Sequence, residues 1–152
     1  MRARIRSLGQ AAIAVLLVVA AAAGAYAQKV NTARGGVAVK GYDVVAYVTA
    51  GRAVAGSEQF VHRIGAATYR FASAANRDAF AQEPDRYLPQ FGGFCAYAVS
   101  RGYTADIDPQ AWRIVGGKLY LNYDRGVQKT WEQDLAGNIG KGDVNWPALS
   151  RK

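Results

Sequence analysis

Apolar and polar positions alternate with period two in two stretches of the chain. Gln59-Phe60-Val61-His62-Arg63-Ile64 and Ala67-Thr68-Tyr69-Arg70-Phe71 flank Gly65-Ala66, a pattern that predicts a hairpin. A second hairpin is predicted from Ala111-Trp112-Arg113-Ile114-Val115 and Lys118-Leu119-Tyr120-Leu121-Asn122, joined by Gly116-Gly117. Around these the apolar spacing lengthens to that of helices. Asp43 is placed to cap a short helix carrying Val44, Val45, Tyr47 and Val48, ended by Gly51. Ser73 caps a helix to about Gln82 that buries Phe80 and is stopped by Pro84. Asp85 to Phe91 reads as an irregular aromatic segment. After Gly92-Gly93, a short helix is expected from Phe94 to Ser100, ended by Arg101-Gly102, with Cys95, Ala98 and Val99 on one face. Asp124 caps a further helix with Val127, Trp131 and Leu135 in line, ended by Gly137. The tail then brings Trp146, Pro147 and Leu149 back to the body. The expected fold is a small single α+β domain, two short antiparallel hairpins with helices packed on them.

The beginning of the chain has a different character. Arg2, Arg4 and Arg6 precede an unbroken apolar run from Ala11 to Ala23, and Ala25-Tyr26-Ala27 supplies the small residues of a cleavage site before Gln28. The run is short of the roughly 20 residues that span a bilayer. Residues 1–27 are therefore expected to be a cleaved signal peptide, and the mature protein to be periplasmic or secreted. Residues 28–36 are polar and glycine-containing and read as a flexible lead-in.

Charge adds little to this picture. Removing Arg2, Arg4 and Arg6 from the total of +8 leaves +5, carried by singly spread basic residues. No dense Lys/Arg block exists, so no nucleic-acid partner is expected, and weak attraction to a membrane surface is the most such a charge implies. With one cysteine in the chain, the domain must stand on its apolar core, and 51% hydrophobic residues permit it.

That cysteine, Cys95, is the first candidate for chemistry. A thiol following a Gly-Gly break at a helix start suits soft-metal binding or thiol reactivity, whereas free cysteine also packs as a small hydrophobe. A lone exported thiol further leaves open a homodimer linked through it. His62, the only histidine, alternates in phase with Phe60 and Ile64; with a thiolate it would suit copper or zinc. Asp43 is either a helix cap or an oxygen ligand beside Tyr42 and Tyr47. The tyrosines at 42, 47, 69, 87, 97 and 103 are core and rim pieces, or the lining of a pocket for a flat ligand. No nucleophile motif accompanies the Cys, His and Asp, so no enzyme is expected.

Several separated blocks fall in a familiar order: Gly41-Tyr42-Asp43-Val44-Val45-Ala46-Tyr47, then Tyr69-Arg70-Phe71-Ala72-Ser73 with Asn76-Arg77 and Phe80, then Pro84-Asp85-Arg86-Tyr87-Leu88-Pro89-Gln90-Phe91-Gly92-Gly93-Phe94-Cys95-Ala96. Together they resemble the YHS domain family over residues 37–149, and Lys118 to Tyr123 with Asn145-Trp146-Pro147 resembles its exported, stand-alone branch. The resemblance implies a small treble-clef-like module associated with metal handling. In the family's metal-handling members two further cysteines occur where this chain has Val45 or Ala46, and Ala72. The implied ligand set is thereby reduced to Cys95, with His62 and Asp43 as candidates beside it. The expected function is an exported, non-catalytic copper- or zinc-handling domain. The alternative is a small-ligand or protein-interaction module with an aromatic pocket and a purely structural cysteine.

Overall fold

The computed structural model describes residues 28–152; the expected signal peptide and its cleavage site lie outside them. The described chain is an α+β domain with two sheets. In chain order its elements are β1 (Thr32–Ala33), β2 (Val37–Ala38), α1 (Val44–Thr49), β3 (Ser57–Ile64), β4 (Ala67–Phe71), α2 (Ala74–Gln82) and α3 (Pro84–Tyr87). There follow α4 (Ala96–Ser100), β5 (Asp108–Val115), β6 (Lys118–Asn122), α5 (Arg125–Glu132) and α6 (Leu135–Leu149).

Both hairpins form where alternation placed them. In the first, His62 faces Tyr69 across the antiparallel pair; in the second, Trp112 faces Leu121. Gly116 and Gly117 take φ of 57° and 76°, the left-handed pair that a two-residue primed turn requires. The caps hold as well. Ser73 accepts from Asn76 N–H at the start of α2, and Asp124 from Val127 N–H at the start of α5.

Several expectations are corrected, among them the irregular reading of Asp85 to Phe91, where Pro84–Tyr87 forms α3. First, residues 28–36 are built into the fold rather than leading up to it. β1 pairs with β2, and β2 runs parallel to β4 through Val37 and Thr68, giving a four-stranded sheet in the order β1-β2-β4-β3. Backbone pairing holds this segment, which explains why its side chains show no apolar pattern. Second, Gly137 does not end a helix. α5 stops at Glu132, Asp134 accepts from Gly137 N–H as a new cap, and α6 continues through three glycines to Leu149. Third, the helix expected from Phe94 begins at Ala96, because Gln90–Gly93 forms a tight 3-10 turn and Cys95 is its N-cap residue.

The core has two compartments separated by β6 and α4. Successive residues of a strand point to opposite faces. Leu119 and Leu121 accordingly join Tyr47, Phe71 and Phe80, while Tyr120 joins Phe91, Phe94 and Trp131. The short α4 does the same: Cys95 and Ala98 face the first compartment, Ala96 and Val99 the second. The expected single face of Cys95, Ala98 and Val99 is thus split, since this helix is buried on two sides.

Candidate functional site

The three candidate ligands occupy three different settings. Asp43 is fully buried at the N-cap of α1. One carboxylate oxygen accepts from the N–H groups of Val45 (2.9 Å) and Ala46 (3.3 Å), and the other from Ala72 N–H (2.9 Å) and the Asn76 side chain (2.7 Å). His62 is half-buried on β3, its ring edge-on to Phe80 at 5.6 Å. Cys95 is 1% exposed. Its thiol donates a long contact, 3.6 Å, to Asn122 Oδ1, which also accepts from Tyr97 N–H at 3.1 Å. Burial pushes the thiol's pKa up, against backbone N–H groups of Ala98, Tyr123 and Tyr97 that favour the thiolate. Among the described residues, no three His, Cys, Asp or Glu side chains stand close enough together to hold a metal ion. The Asp43 carboxylate already accepts four hydrogen bonds, and the Cys95 sulfur is enclosed where burial favours the thiol.

A groove of about 830 Å³ lies elsewhere on the domain. Its sides come from four segments: the stretch from Lys29 to Thr32 that enters β1, the β3–β4 turn at Ile64 to Ala67, the stretch Leu88 to Gly92, and Trp146-Pro147 in the last turns of α6. Local chemistry explains how these meet. Phe91 and Gly92 both take left-handed backbone angles (φ 56° and 60°), so the chain folds back on itself there. For phenylalanine that conformation costs about 1 kcal/mol or more. Packing holds it: the Phe91 ring lies against Gly142 of α6, Tyr120 at 5.8 Å and Trp146 at 6.1 Å. A Cβ at Gly142 would come within 2.6 Å of that ring. Gly92 is required twice over, for its angle and because a side chain there would run into the Lys29 carbonyl oxygen. The segment leading into β1 is fixed in turn by Asn31 N–H to the Gly92 carbonyl (2.8 Å) and Lys29 N–H to the Ser150 carbonyl (3.2 Å).

The lining is mixed. Val30, Leu88, Pro89, Phe91 and Trp146 supply apolar surface, while Lys29, Asp85 and Asp143 place charges on it. Tyr69 is the one tyrosine among the lining residues, and burial raises its phenol pKa to about 12, so at neutral pH it presents a hydroxyl. The other five tyrosines considered from the sequence lie outside the groove. Tyr47 instead donates to the Pro109 carbonyl at 2.7 Å within the core. Phe91 and Trp146, which build the groove, carried no such expectation; the doubled glycine after Phe91 was the signal available for them. A second recess, about 650 Å³, shares Gln28, Lys29, Trp146 and Pro147 with the groove and adds Ser150, Arg151 and Lys152.

Comparison with protein-family models, curated proteins and solved structures returns no match to this chain. No described helix is long and apolar enough to cross a membrane.

Proposed function

We propose that this protein is an exported, non-catalytic binding domain of the YHS type, whose groove takes a small, largely apolar organic ligand with a polar end, and in which Cys95 is a packing residue. One observation carries the reading: the groove is walled by a phenylalanine held in a costly left-handed conformation, and such outliers persist where surrounding structure imposes a shape. The apolar lining suits the body of the ligand, and the charges of Lys29, Asp85 and Asp143 suit its polar end. The sequence-level expectation of copper or zinc handling draws no support from the separate engagement of Cys95, His62 and Asp43.

An environment-sensitive apolar dye serves as the probe. Ile64→Glu places a charge on the groove from a position 39% exposed, where no core contact is lost. The variant is expected to bind the dye at least about tenfold more weakly than the wild type, a loss on the order of 1.4 kcal/mol. Equal binding by both would overturn the groove reading. In parallel, Cu(I) and Zn(II) are titrated into wild type and Cys95→Ala. The two are expected to behave alike, and stoichiometric binding lost only in Cys95→Ala would restore metal handling.

A further inference from the structure

Gln28 has a position distinct from the residues that follow it. Chain pairing begins one residue later, where Lys29 N–H meets the Ser150 carbonyl. Gln28 itself is exposed, and it lines both the groove and the neighbouring recess. That recess also gathers Lys29, Arg151 and Lys152. Cleavage after Ala27 would leave Gln28 with a free α-amine in these surroundings. Near neutral pH a fraction of such an α-amine is in its neutral, nucleophilic form.

From this geometry we infer that Gln28 is a modification site: the mature N-terminus closes to pyroglutamate. The α-amine nitrogen attacks the side-chain amide carbon Cδ and forms a new C–N bond. The bond from Cδ to the amide nitrogen breaks, and that nitrogen leaves as ammonia with a proton taken from the amine. No oxidant, reductant or co-reactant is needed. The anchor at Lys29 leaves Gln28 outside the paired backbone, so the five-membered lactam forms without breaking a hydrogen bond of the fold. The product replaces an amine that can be protonated, at the shared mouth of groove and recess, with an amide ring that cannot. It thus lowers the positive charge that a ligand entering past Lys29 would meet.

The inference rests on the export reading given above, and the two are separable by experiment. The full chain is expressed in a bacterium with a periplasm, recovered from that compartment, incubated at neutral pH, and studied by intact mass and tandem mass spectrometry of its N-terminal peptide. The expected result is a chain starting at residue 28, lighter by one ammonia, whose first residue is released by pyroglutamyl aminopeptidase. Gln28→Ala, processed at the same bond, is expected to retain a free amine and the full mass. A chain that starts at residue 28 with its amine still free after incubation overturns the modification and leaves export standing. A chain that retains Met1, or starts at another residue, overturns the export reading at this site and the modification with it.

Discussion

Each oxygen of Asp43 accepts two hydrogen bonds, and the four donors belong to α1, to the residue that leaves β4, and to α2. One buried carboxylate therefore sets the placement of three segments that are distant in sequence. Its role as a cap is legible from the sequence, since Asp before an apolar run favours that position. The tertiary part is not, because nothing in local spacing brings Ala72 and Asn76 to it. Asp43→Ala would remove the cap and leave buried N–H groups without an acceptor. It is expected to cost about 2–4 kcal/mol, read as a lowered urea midpoint, well beyond an isolated cap. Cys95 teaches the converse. A lone thiol after two glycines has the local look of a reactive site, yet its enclosure depends on β6, which follows it in the chain and presents Asn122 to the sulfur.

At the scale of elements, α6 separates intrinsic preference from packing. Glycine inside a helix costs up to about 1 kcal/mol relative to alanine. Gly140 has open space at its Cβ position, so Gly140→Ala is expected to stabilise the protein by up to about that amount. Gly142→Ala would drive a methyl into the Phe91 ring and is expected to destabilise by about 1–3 kcal/mol despite the same local gain. Thermal melts of the two variants check both signs. The same helix shows where sequence patterning is weak. Its three glycines and Pro147 read as a tail, and close approach of the helix to Phe91 is a tertiary reason that periodicity does not contain. The hairpins and capped helices were legible because their signals are local: alternation, paired glycines, and Ser or Asp at the cap. The two short strands β1 and β2 were not, since the pairing of β1 with β2 and of β2 with β4 leaves its mark on backbone groups rather than on side-chain pattern. The groove suffers the same way, being assembled from four segments, each ordinary on its own.

For the molecule as a whole, the segment leading into β1 is tied to the body from both sides, and one tie responds to pH. Asp106 accepts from Asn31 at 3.1 Å and pairs with Lys40 at 3.0 Å. Burial pushes this carboxyl up, but the hydrogen bonds from Ile107 N–H and Asn31, with the Lys40 ammonium, outweigh it and hold the group below its ordinary value of 3.8. A depressed folded-state pKa means that the stabilisation is present above 3.8 and fades as the pH falls through the folded value. Urea midpoints of wild type and Asp106→Asn should therefore differ at neutral pH and converge on acidification; a constant gap would deny the tie its titration. The exposure of both partners keeps the effect small. The opposite tie, Lys29 to Ser150, sets positions from the two extremes of the described chain side by side. Topologically the domain is thus nearly a closed ring: a host protein could carry it spliced into a surface loop, entering and leaving through adjacent points, with little strain on either partner.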